Sequence, residues 1–269
     1  MNISEIGPAL GAGFAFWRRA FPRVWGALLL LTVISLAGVA EAANGVSAGW
    51  VLLTSVAELA ATVVACGALF RLALSSESDR ASPPGPVGLQ WTRVEWRIAG
   101  AYALTFFLIL LIALAVVFVI LLLIAILYIG MGAGAVPAKG FLASPAGQAT
   151  LWLGAAGGLL LLWVLVRLSL SVPATVDRGA VQVFSTWSLT RGRALTLLII
   201  AILLGMPIFL RLGLPMLIPN GIAQILDDGA ASVALRCLAC LLGGLVQLPI
   251  LAGALSFIYR RAAGTEVAT

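Results

Sequence analysis

The sequence contains no histidine and a single lysine, Lys139. General acid–base chemistry near neutral pH leans on imidazole, and Schiff-base or Ser–Lys nucleophiles need an activated amine. One lysine in a Gly/Pro-rich stretch supplies neither, so the chain reads as a non-enzyme. Carboxylates are few and scattered as well: Asp and Glu total 10, and the only adjacent pair is Asp227-Asp228. Metal sites draw on clusters of His, Cys and carboxylate at ligand spacing, so no metal and no cofactor is expected. The three cysteines, Cys66, Cys237 and Cys240, all lie in apolar runs. Cys237-x-x-Cys240 has the spacing of a redox motif, but Arg236 is its only basic neighbour, and the pair reads as small packing residues. Without predicted strands, no glycine-rich phosphate loop has a place to form.

Charge is scarce too. Charged residues make up 10% and hydrophobic residues 62%, against about 25% and about 45–50% in soluble domains. So few charges cannot cover a water-exposed surface, so lipid must cover much of this one. The net charge of +6 does not point to nucleic acid, because the basic residues stand singly or in pairs at the ends of apolar runs, which is the footprint of membrane topology.

What is present is a set of long apolar runs. A membrane-crossing helix needs about 20 mostly apolar residues, and six stretches approach or exceed that: 24–40, 50–74, 98–130, 151–172, 194–218 and 231–259. The third exceeds the hydrocarbon thickness and must tilt or protrude. Continuous runs exclude a membrane β-barrel, whose strands alternate over about 10 residues. Arg18-Arg19 and Ala40-Glu41-Ala42 resemble export and cleavage signals, but more membrane follows them, so the first run reads as a retained span. The connectors at 75–86, with Glu77, Asp79 and Arg80, and at 132–148 read as solvated loops.

Orientation follows from the arginines. Thirteen basic residues (Arg18, Arg19, Arg23, Arg71, Arg80, Arg93, Arg97, Arg167, Arg178, Arg191, Arg193, Arg260 and Arg261) fall on one side of six alternating spans, and three (Lys139, Arg211 and Arg236) on the other. The positive-inside rule then places both termini in the cytoplasm.

A repeated pattern runs through the basic side. Trp17, Trp91 and Trp187 are each followed at the sixth position by arginine, namely Arg23, Arg97 and Arg193. Arg71 and Arg167 each precede their tryptophan by twenty residues, within Phe70-Arg71-Leu72-Ala73-Leu74 and Val166-Arg167-Leu168-Ser169-Leu170. We read a single membrane domain, 1–269, built from three pseudo-repeats at about 3–74, 87–172 and 180–261. Each unit is a cytoplasmic interfacial amphipathic helix, a span out and a span back. The fold class is thus an all-α polytopic membrane protein with six transmembrane helices in three pairs. Ile3, Ile6, Leu10, Phe14, Trp17 and Phe21 form one helical stripe, and Val87, Trp91, Val94 and Ile98 a second. Such helices seal the bundle's end, and their Trp17, Arg23, Trp91, Arg97, Trp187 and Arg193 are candidate contacts for anionic lipid headgroups.

Inside the spans, Glu58 is the one carboxylate placed well below the surface. An ionised carboxylate in lipid is costly unless paired, and Arg211 and Arg236 reach a similar depth, so the three are a candidate intramembrane ion pair. Gly205, Pro207, Gly213 and Pro215 in span five, and Gln247 and Pro249 in span six, mark helices that can break and free backbone carbonyls. Gly154-x-x-x-Gly158 in span four predicts close helix packing.

The run from Val166 through Pro173 to Asp177, followed by Ser185-Thr-Trp-Ser-Leu-Thr-Arg-Gly-Arg193, resembles a bacterial membrane domain. That domain occurs fused to some glycerophosphoryl diester phosphodiesterases and also free-standing. The resemblance implies a six-helix module of the bacterial inner membrane with a link to envelope or lipid homeostasis. It does not extend to catalysis, since the fused enzyme's chemistry depends on histidine. The expected function is a non-catalytic integral membrane module acting through anionic lipids or a membrane protein partner. The alternative is a secondary transporter or channel-like protein for a small or amphiphilic solute, with Glu58 and broken spans five and six as its site.

The charge bias predicts topology directly. A cysteine introduced between residues 75 and 86 should be shielded from a membrane-impermeant thiol reagent in intact cells, and one at Ala135 should label. The reverse pattern would invert the orientation.

Overall fold

Apolar runs in lipid have few ways to satisfy their backbone, and the helix does so within one segment. The computed structural model describes residues 5–44, 47–75, 85–130, 145–212 and 230–264, with side chains described for all but 41–44, 127–130, 145–146, 205–212 and 230–232. It is all-helical, with no strand among the described residues. The helices are α1 (Ile6–Asn44), α2 (Ala48–Leu74), α3 (Arg93–Gly130), α4 (Pro145–Leu168), α5 (Ser171–Arg178), α6 (Thr186–Leu189), α7 (Ala194–Leu212), α8 (Ala230–Leu242) and α9 (Leu248–Ala262). A 3-10 turn, Pro86–Gly88, precedes α3, and a π-helical segment, Gly243–Gln247, joins α8 to α9. Five helical stretches are long and apolar enough to cross a membrane: Ile6–Ala40, Ala48–Leu74, Pro86–Ile126, Gly147–Arg178 and Val233–Ala262. In α7 the described apolar stretch is the shorter Ala194–Leu204.

Three expectations change at this level. The first leading segment is not a separate helix, because α1 runs without interruption past Pro22 into the first span. It does bend. Trp17 Nε1 donates to the carbonyl of Leu245 at 3.0 Å, while the Cα of Thr32 lies 3.7 Å from where a Cβ on Gly244 would stand. Fifteen residues of straight helix rise about 22 Å, more than an indole and one hydrogen bond can bridge. The axis therefore turns between Trp17 and Thr32, and Pro22, which cannot supply its helical hydrogen bond, lies in that interval. The second leading segment is the 3-10 turn plus extended residues rather than a helix, with Trp91 ahead of α3. The third is reduced to the four-residue α6 among turns. Within the fourth stretch the helix is interrupted after Leu168, where Ser169 N–H and Oγ both turn back to the Val166 carbonyl, at 3.3 and 2.8 Å, before α5 begins.

The stripe logic inverts in α1. Phe14, Phe21 and Trp25 point outward, exposed, while Ala9, Gly13, Phe16, Ala20, Val24, Ala27 and Leu28 face the core. In water the large apolar stripe would turn inward, whereas in lipid the tails solvate it. Helix association then rests on van der Waals packing between small residues. A Cβ on Gly253 of α9 would meet Phe16 Cβ at 2.7 Å and Gly13 Cα at 3.0 Å. A Cβ on Gly244 would collide with the Thr32 hydroxyl. These contacts let α1 lie against α8 and α9, and the main core is built around them, from α1, α2 and α9 with parts of α4, α5 and α7.

The α3–α4 hairpin stands largely outside that core, and the most apolar window of α3 has no buried residue. Its small cluster joins Ala101, Val164, Leu168 and Val183. The Gly154-x-x-x-Gly158 expectation is also corrected: neither residue has a neighbour within 4 Å of an added Cβ, and the close approach to α3 is at Gly157, against Val116. The packed face of α4 is thus one residue away from the motif.

Gly253→Val places a branched side chain against backbone and should destabilise by about 1–3 kcal/mol, as overpacking does. Gly154→Val, into open space, should leave the melting temperature in detergent within a degree or two. Equal effects at the two positions would show that the α1–α9 approach does not limit stability.

Candidate functional site

The chemistry inside the bundle begins with Pro249. The α-helical partner of the Leu245 carbonyl would be the N–H of residue 249, and proline has none. Trp17 fills the role through its indole N–H. It is half-buried and satisfies a backbone acceptor inside the bundle, where an unpaired carbonyl is costly. Upstream, Gly243 and Gly244 bring no bulk, and the helix widens to the π form, with the Leu248 N–H reaching the Gly243 carbonyl. Such bulges occur often at functional sites.

The widened segment forms one wall of a cavity of about 190 Å³ between α1, α2 and α8–α9. Glu58 lines it from α2, and its Oε1 accepts a hydrogen bond from Ser35 Oγ of α1 at 2.7 Å. Thr62, one turn on, donates to the Glu58 carbonyl at 2.7 Å. Gln247, 7% exposed, lines the opposite wall, and its Oε1 has no hydrogen-bond partner among the described residues. Sequence spacing placed Glu58 and Gln247 in different spans, and the fold brings them to one cavity.

The expected ion pair is only partly accessible. Arg236 is half-buried on α8, and the ion pairs of the described residues do not include it with Glu58. The Arg211 side chain lies outside the described residues, as do Lys139, Gly213, Pro215, Asp227 and Asp228. Cys240 is buried, with Sγ 3.9 Å from the Ser35 carbonyl, and all three cysteines are free thiols. Among the described residues no group of three or more His, Cys, Asp or Glu could hold a metal.

The second site is a collar of charged residues at the end of the bundle where α1 begins. Arg71 at the end of α2 pairs with Glu95 of α3 at 2.7 Å, and Glu95 is fully buried. Glu95 also accepts from the Thr92 N–H at 2.6 Å, while Thr92 Oγ1 accepts from the Val94 N–H at 3.2 Å, a reciprocal cap on α3. A Cβ on Gly67 would collide with the Glu95 carboxylate, so glycine leaves the room this ion pair occupies. Arg167 lies over the rings of Trp163 and Trp187, 4.8 and 5.4 Å from their centroids, and donates to the Trp187 carbonyl at 3.2 Å. Both arginines thus reach the segment that begins at the tryptophan twenty residues on. Glu5 meets Arg193 at 3.7 Å and Arg261 at 3.5 Å, tying the start of α1 to α7 and α9. Arg260 donates to the Ala73 carbonyl at 2.5 Å, and Tyr259 to Asp177 at 2.7 Å.

Of the expected headgroup contacts, Trp17 and Arg193 are engaged internally, and Arg97 lies beside Gly179, its Nη1 3.2 Å from an added Cβ. Arg23, Trp91 and Trp187 are exposed. Glu95 carried a readable signal: Thr92-x-x-Glu95 is a capping-box pattern at the head of an apolar run.

A scan against family models, a search of curated proteins and a search of solved structures each return no match.

The Trp17–Leu245 bond should be separable by a double-mutant cycle. Trp17→Phe should cost about 1 kcal/mol, the scale of one interhelical hydrogen bond in a bundle. With Pro249→Ala restoring a backbone donor, the same change should cost clearly less. Additive losses in melting temperature would mean that the indole matters only through packing.

Proposed function

We propose that this chain is a non-catalytic integral module of the bacterial inner membrane, acting in envelope or lipid homeostasis by gathering anionic lipids at its cytoplasmic end. The observation that carries this reading is the outward face of α1. Phe14, Arg18, Phe21 and Trp25 recur at steps of four, three and four, all exposed, with Arg19 and Arg23 beside them. None of these three arginines joins an ion pair among the described residues. Aromatic rings at headgroup level, flanked by unspent guanidinium groups, are the composition that anionic interfaces attract. Trp91 and Trp96, T-stacked at 5.3 Å with Arg93 exposed nearby, extend the same character to the head of α3.

Six spans with both termini inside fit this reading. Glu5 and Arg261 meet, so the two ends of the described chain share one face of the bundle. An even number of crossings would keep them together, which supports α7 as a span beside the five longer stretches. The bent first limb of α1, residues 6–21, then takes the place of an interfacial helix in the first of three helix pairs. Transport of a small or amphiphilic solute is the second reading, and its support is the cavity that Glu58 and Gln247 line.

Native mass spectrometry of the protein released from mixed vesicles tests the proposal. Phosphatidylglycerol or cardiolipin should be retained over phosphatidylcholine. Replacing Arg18, Arg19 and Arg23 with glutamine should weaken that preference by about 1 kcal/mol per arginine. Equal retention of the zwitterionic lipid by the unaltered protein would refute it.

A further inference from the structure

The cavity behind the π segment has no part in the lipid contacts just described. Its polar inventory is lopsided. Ser35 spends its proton on Glu58, and Thr62 spends its own on the Glu58 carbonyl. Lone pairs on the Thr62 hydroxyl and the Gln247 Oε1 remain as acceptors, and the latter is buried without a partner among the described residues. Among the described residues no lysine or arginine lines the cavity. The remaining walls are apolar, with Leu31, Leu248 and Leu251 among them. At about 190 Å³ the space is somewhat larger than an apolar cavity that holds a benzene ring.

We propose that this cavity is a binding site for a small amphiphile with a hydrogen-bond-donating head, a hydroxyl or an amine on a short alkyl body, whose head is read by Gln247 beside the Ser35–Glu58 pair. The reason is complementarity. A buried amide oxygen without a donor is among the costlier things a bundle can hold, and a donor head removes that cost while its alkyl body meets leucine. The π segment supplies the room: an α-helical path without Gly243 and Gly244 would put side chains against α1 and into the cavity. Binding of this kind does not require the molecule to be carried across the bilayer.

The test uses the full-length protein in nanodiscs and a photoreactive diazirine-bearing alkanol as probe, with labelled peptides mapped. Labelling should saturate on the peptide spanning residues 239–251. Excess 1-hexanol or hexylammonium should compete, and hexane should not. Competition by the alcohol alone assigns a hydroxyl head and by the amine alone an amine head, and either supports the site. Gln247→Leu should weaken competition about tenfold, the size of one lost buried hydrogen bond. A Cβ at Gly243 meets only Gln247 Oε1, at 3.6 Å, so Gly243→Val should fill the cavity and abolish labelling while the protein stays monodisperse. If that variant does not fold, Ala239→Val on the facing turn serves in its place. Labelling spread over the lipid-facing residues of α3, labelling unaltered in the filled variant, or equal competition by hexane would overturn the proposal and leave the cavity to water.

Discussion

The close approach of α1 to α8 and α9 is the constraint on which the rest depends. Lipid tails are as apolar as leucine, so burying large side chains gains little in a bilayer, and helices associate where their backbones come near. Gly13 against Gly253, and Gly244 under Thr32, allow that nearness. Once α1 is held there, Phe14, Phe21 and Trp25 face outward while Phe16 stays in the core. The main core then forms from the inner face of α1, large residues Phe16, Leu28 and Leu31 included, with the second half of α2 and the inner face of α9.

Proline, π segment and tryptophan form one linked solution to a backbone problem. Pro249 leaves the Leu245 carbonyl without its helical donor, and Trp17 supplies one from α1. The bond also helps fix where α1 turns, because Trp17 and Thr32 must both reach the same short stretch of the last span. The same widening that unsettles the helix opens the space that Glu58, Ser35 and Gln247 share. Cavity, bend and helix defect thus have a common origin.

The arginines divide into three groups by what they touch. Arg71 and Arg167 are spent within the bundle, one on a buried carboxylate and one between two indoles. Arg193, Arg260 and Arg261 bind the chain ends and helix ends to one another. Arg18, Arg19 and Arg23 remain exposed. A positive-inside count treats all of these alike, although the first two groups hold the bundle together and the last makes no ion pair among the described residues. Removing a partner from the buried Arg71–Glu95 pair would strand a charge, whereas an exposed arginine is worth little to stability.

The sequence by itself determined the class of structure. Without histidine, with little charge and with apolar runs of span length, a helical membrane bundle was the available outcome, since lipid forbids unsatisfied backbone. It also marked Gln247 and Pro249 as a place where the last span can break. Tertiary structure decided which residues meet. The helical stripe of Ile6, Leu10 and Phe14 gave no sign that its aromatic end would face outward, because periodicity reports a face and not the solvent that face prefers. Equal spacings from Arg71 to Trp91 and from Arg167 to Trp187 did not reveal that one arginine would find a carboxylate and the other an aromatic cage. Glu58 and Gln247 lie nearly two hundred residues apart, and only the packing of α1 and α2 onto the last span brings them to one cavity. Partner choice in a bundle is set by which backbones can approach, and that depends on all the helices at once.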